Sequence, residues 1–108
     1  MNTVKDEGKY DSNQEVMLEN IVASFKRILE QNGVDEEMIY SIAGDLAFDV
    51  CAKIDGSAVM GSEESPVIPF LAFCKSEDEK NTLIVNESGS NMHEMTYGIV
   101  DKVFEVDE

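Results

Sequence analysis

Asn32-Gly33 cuts a long stretch of helical period into two helices that must lie side by side. Before the cut, Leu18, Ile21, Val22, Phe25, Ile28 and Leu29 recur at steps of three, four and seven, one stripe of a 3.6-residue helix. After it, Ile39, Ile42, Ala43, Leu46, Ala47, Val50, Cys51 and Ile54 trace a second stripe. Gly33 suits the left-handed residue that closes a helix, and Asp35 suits the cap that opens the next. So short a link makes the two helices neighbours, read as antiparallel. The first helix is predicted over 13–31, entered through Ser12-Asn13-Gln14-Glu15, an S-x-x-E capping box. Lys26 and Arg27 stand toward its C-terminal end, where cations suit the helix dipole. The second runs on from Asp35 to Ile54, with Glu36 and Glu37 at its positive end and Val34 and Ile39 placed as a hydrophobic staple. Asp55-Gly56 ends it. Residues 1–11 are polar and aperiodic, and are read as a flexible arm.

Downstream the pattern changes. Gly56, Ser57, Gly61, Ser62, Ser65 and Pro66 mark a loop, with Ala58-Val59-Met60 as a short strand inside it. Val67 to Cys74 is a continuous apolar run of strand length, and Pro69 confines it to an edge or delays its start. Thr82 to Val85 is a second, β-branched strand beyond a charged turn, so the two form a hairpin. Asn91 can cap a last helix in which Met92, Met95, Ile99, Val100 and Val103 keep the period to about Phe104. Gly98 and the strand-formers Thr96, Tyr97, Ile99, Val100, Val103 and Val106 leave a third strand as the alternative. The order is α-α-β-β-α, a single α+β domain over residues 12–108. A lone hairpin is marginal, so its sheet needs helix cover, a third strand or a second copy of the chain. A homodimer through sheet extension or helix packing follows as an expectation.

Composition narrows the function. The 108 residues carry 23 Asp and Glu against 8 Lys and Arg, a net charge of −15, with 43% hydrophobic residues. That much apolar content builds a core, unlike an acidic disordered tail. The charge opposes direct binding to nucleic acid or to an anionic membrane, and no apolar run approaches a membrane span. The first ten residues lack the basic-then-apolar pattern of a secretion leader, so a cytoplasmic location is expected. Cys51 and Cys74 then read as two buried free thiols in a reducing compartment.

Catalytic chemistry finds little support. His93 is the single histidine, and no local signature joins it to Cys51 or Cys74 as a nucleophilic pair. It reads as a surface residue in a first helical turn beside Glu94. His93 and Glu94 are adjacent, about 100° apart on a helix, whereas metal-binding helices use i, i+4 spacing. No C-x-x-C, EF-hand loop or phosphate-cradling glycine loop is present, so neither metal nor cofactor is expected. Residues 13–54 have the outline of a helix-turn-helix, but the second helix offers Asp35, Glu36, Glu37, Asp45 and Asp49 where a DNA reader places Arg, Lys, Asn or Gln.

The acids themselves are the feature left. From Ile28 to Cys74 there are nine of them and one base, Lys53. Glu37, Ser41, Asp45 and Asp49 step by four along the second helix, a ridge with neighbouring steps about 6 Å apart, a spacing at which like charges mildly repel. A ridge that opposes its own helix suits a basic protein partner. Glu36, Glu37, Asp45, Asp49, Glu63 and Glu64 are its expected contacts. A regulator or inhibitor of a nucleic-acid-binding protein, imitating phosphate charge, is the sharpest form of that reading. The competing reading assigns the acids to solubility alone. It moves function to a small-ligand or dimer surface on the apolar hairpin Phe70–Cys74 with Met60, Met92 and Met95.

Overall fold

The computed structural model describes residues 1–105. Its order is strand β1 (Asn2–Lys5), helix α1 (Glu7–Gln31), helix α2 (Glu36–Ile54), strand β2 (Phe73–Cys74), strand β3 (Thr82–Val85), a 3₁₀ turn (Met92–Met95) and helix α3 (Thr96–Val103). The chain is therefore α+β, with the two long helices, the hairpin and the C-terminal helix in the predicted order. Gly33 sits at φ +75° in the link between α1 and α2. Asp35 caps α2 by accepting from the Met38 N–H at 3.0 Å. Leu18 and Val22 of α1, Ala47 and Cys51 of α2, and Met92, Ile99 and Val100 from the last turn and helix make one buried core. Ala43, Ala47 and Cys51 lie four apart on one row of α2. Their small side chains let the neighbouring helices approach closely.

β3 is the centre of a three-stranded sheet, with β1 parallel on one side and β2 antiparallel on the other. Ile84 is opposite both Val4 and Phe73, so these three share one face. The ring of Tyr10 on α1 meets Phe73 edge-on at 5.4 Å, and its hydroxyl donates to the Leu71 carbonyl at 2.8 Å. The sheet is thus held to the start of α1.

Several expectations are corrected. Residues 1–11 are not an arm: they hold β1 and the first turn of α1, which Asp6 caps through the Lys9 N–H at 3.0 Å. Ser12 lies inside α1 and opens nothing. The third strand the hairpin needs comes from the N-terminus, while residues 96–103 are helical. Val106, one of the residues behind the strand alternative, lies outside the described residues. Of the apolar run from Val67, only Phe73 and Cys74 pair in the sheet. Ile68 and Phe70 are instead 75% and 62% exposed on either side of Pro69, which has no N–H to donate to a ladder. No strand forms at Ala58–Met60: Gly61 and Pro66 make one isolated bridge. Asn91 does not cap the last helix; its side-chain oxygen accepts from Gln14 Nε2 at 2.8 Å. Cys51 is buried as expected, but Cys74 is exposed, because a two-residue edge strand covers one side only; both are free.

Candidate functional site

Helix geometry sets the site. Glu37, Ser41 and Asp45 each precede by three a residue of a second row, Tyr40, Gly44 and Phe48. Residues three apart are neighbours on a helix surface, so the acidic row runs directly beside a row containing two aromatic rings. All of Glu36, Glu37, Ser41, Asp45 and Asp49 are exposed. Asp49 pairs with Lys53 at 2.6 Å, one turn on. Glu36 and Glu37, with Tyr40 and Phe104, line a shallow hollow of about 280 Å³ at the start of the helix.

Helix α3 completes the face. Tyr97 lies beside Gly44, and its ring stacks on Phe48 with centroids 5.7 Å apart and planes 23° from parallel. Phe48 is 38% and Tyr97 54% exposed, so both rings show surface to solvent among carboxylates. Asp101, one turn beyond Tyr97, accepts a hydrogen bond from the Tyr40 hydroxyl, which raises the Tyr40 pKa. At the same end Phe104 meets Tyr40 edge-on at 5.5 Å and carries Lys26 over its ring at 5.0 Å. The periodicity that marked the acids also contained the aromatic row, through its i, i+3 offset. Tyr97 had no such signal, because only packing places it over Gly44.

Glu63 and Glu64 stand apart from that face. They are exposed at the tip of a turn closed by Gly61 and Pro66 and by paired backbone bonds between Ser62 and Ser65 at 3.2 and 3.3 Å.

His93 lies where α2 ends. It is partly buried, and its partner is Asp55 rather than the neighbouring Glu94. Asp55 is the C-cap residue of α2, and its side chain is fully buried. It accepts from the His93 N–H at 3.0 Å, from the Ser57 N–H at 3.0 Å, and from His93 Nδ1. Burial pushes the Asp55 pKa up, but the bonds from His93 and Ser57 together outweigh it and hold the carboxyl below its ordinary value. Ser57 Oγ is 3.2 Å from that same Nδ1. Serine, histidine and aspartate are thus in contact, but not as a hydrolytic triad. A triad needs the serine on one ring nitrogen and the acid on the other, so that the base can take the serine proton. Here both meet Nδ1, and the arrangement fastens the end of α2 to the 3₁₀ turn. The His93 ring also supports Phe48 edge-on at 5.7 Å. Burial lifts the Cys51 thiol to a pKa of about 11, which keeps it protonated and unreactive in the core.

Among the described residues, no group of three His, Cys, Asp or Glu is placed to share a metal ion, and no helix is long and apolar enough to cross a membrane. No protein-family model matches the chain, and neither a curated protein nor a solved structure resembles it significantly.

Proposed function

We propose that this protein is a non-catalytic binding module whose α2 face engages a basic protein surface, as a regulator or inhibitor of that partner. The observation that carries the reading is the exposed acidic row Glu37, Asp45 and Asp49 running beside the half-exposed rings of Tyr40 and Phe48. Only Asp49 among these acids is paired with a lysine. Asp45 and Asp49 are the like-charge pair one turn apart, a repulsion of a few tenths of a kcal/mol that Lys53 partly relieves and a cationic partner reverses. Glu36 stands at the head of the neighbouring row of Tyr40 and Phe48, while Glu63 and Glu64 supply long-range attraction from their separate turn. The step of about 6 Å from Asp45 to Asp49 is also compatible with imitation of a phosphate backbone, with Ser41 leaving a gap of about 12 Å between Glu37 and Asp45. Two free thiols suit a reducing compartment such as the cytoplasm.

The test separates local from overall charge. Glu37→Gln, Asp45→Asn and Asp49→Asn together remove three charges from α2. Glu77→Gln, Asp78→Asn and Glu79→Gln remove three from the β2–β3 turn. Titration with a polybasic peptide at low salt should lose most of its affinity in the first variant and little in the second. Equal losses in both would reduce the acids to a solubility role.

One observation favours a second reading. Lys53, Ile54, Met60, Pro69, Phe70 and Leu71 line an open hollow of about 370 Å³, and Ile68 and Phe70 expose much of their surface near it. A small apolar ligand or a second copy of the chain would cover these residues. Met92 takes no part, because it is wholly buried in the core. Stoichiometric binding of a hydrophobic fluorescent probe, or a dimer in sedimentation that Phe70→Ser abolishes, would favour this reading.

A further inference from the structure

We infer that the stacked pair Phe48 and Tyr97 is a seat for an arginine side chain of the basic partner, with the surrounding carboxylates taking the guanidinium edge. The inference rests on the reading of the α2 face as a partner surface and narrows the chemistry of that partner.

Three features of the face select arginine. The first is the platform. Two half-exposed rings stack 5.7 Å apart, Phe48 also meets the His93 ring edge-on at 5.7 Å, and Gly44 leaves room for Tyr97 to lie against α2. A guanidinium is planar and weakly hydrated, and it stacks on an aromatic face where an ammonium prefers to keep its water.

The second is the placement of the acids. Asp45 is three residues before Phe48 and is its neighbour on the surface of α2. Glu94 is three residues before Tyr97, and Asp101 four after it. Carboxylates therefore flank the platform from both α2 and the last helix, where N–H groups on the rim of a stacked guanidinium can donate to them.

The third is a contrast within the molecule. At the far end of the same face, the ring of Phe104 is covered by the chain's own Lys26 at 5.0 Å. Among the described residues no lysine or arginine covers Phe48 or Tyr97 in the same way. An acidic surface serving solubility alone gains nothing from two stacked, half-exposed rings placed among its charges.

The experiment titrates the full chain with two peptides of equal length and charge, one built from arginine and serine, the other from lysine and serine. The arginine peptide should bind about fivefold more tightly. Tyr97→Leu, which keeps apolar bulk and removes the π face, should weaken binding of the arginine peptide more than that of the lysine peptide and so erase the preference. Tyr97→Phe should retain it. Phe48→Leu gives an independent second variant, and circular dichroism checks that each remains folded. Equal affinity of the native protein for both peptides, or a preference that survives both leucine variants, would overturn the arginine seat and leave the acidic face standing. Failure of both peptides to bind would overturn the proposed function together with the seat.

Discussion

Tyr97 lies against α2 at Gly44, where a methyl group in place of the glycine hydrogen would come within 3.3 Å of Tyr97 Cε1. The contact links the last helix to the acidic face, and it makes Gly44 a position where helix propensity and ring placement oppose each other.

Gly44→Ala should therefore separate stability from binding. Alanine gains up to about 1 kcal/mol of helix propensity, and the half-exposed ring can slide outward to relieve the contact. A net stabilisation of roughly 0.5 kcal/mol by chemical denaturation is expected, with a reduced preference for the arginine peptide. A net loss of stability would show that the Tyr97 ring is locked in place.

Gln14 is a buried polar residue in the row Tyr10, Gln14, Leu18 and Val22, all fully buried. Its amide donates to Asp11 Oδ1 at 3.1 Å and to Asn91 Oδ1 at 2.8 Å, and its oxygen accepts from the Ser90 hydroxyl. Gln14→Leu keeps the volume but strands those partners, and should cost about 1–3 kcal/mol. A double-mutant cycle with Asn91→Ala should reveal positive coupling. Additive losses would mean that the two side chains act independently.

Asp55 supplies an acid-sensitive anchor. Its pKa is lowered in the folded state, so its contribution is complete above the ordinary carboxylate value and drains away as pH falls through the folded one. Native stability should decline as pH drops below about 3.9. Asp55→Asn should be less stable at neutral pH and flatter in that acidic window. Denaturation midpoints measured across the window test both statements, and parallel curves for the two proteins would refute the second.

Removal of residues 1–5 distinguishes a strand from an arm. β1 pairs with β3 along four residues, so its loss leaves β3 with only the two-residue β2 beside it. A destabilisation of roughly 1–2 kcal/mol and a greater tendency to aggregate are expected. An unchanged denaturation midpoint would return the segment to the status of an arm.

The two thiols should react in sequence. Cys74 is exposed and should be labelled in the native protein. Cys51, buried and with a pKa raised to about 11, should be labelled only at the rate of unfolding. Simultaneous labelling under native conditions would contradict the packing around α2.

The sequence by itself determined the two long helices, their shared boundary at Gly33, the Asp35 cap and the acidic row on α2. These rest on periodicity and on hydrogen bonds that reach at most one helical turn, so a local stretch of residues is enough to specify them. The tertiary structure alone decided the rest. β1 is four exposed residues with no hydrophobic pattern, and it becomes a strand because its backbone pairs with β3 near the other end of the chain. The early start of α1 was hidden because Gln14 interrupts the apolar stripe, and only Ser90, Asn91 and Asp11 make its burial tolerable. The same holds at the site: α2 carries the acids, Phe48 and its cap Asp55, but Tyr97 and His93, the partner of Asp55, arrive from distant sequence. Their positions follow from the close packing of side chains, which no pattern of neighbouring residues encodes.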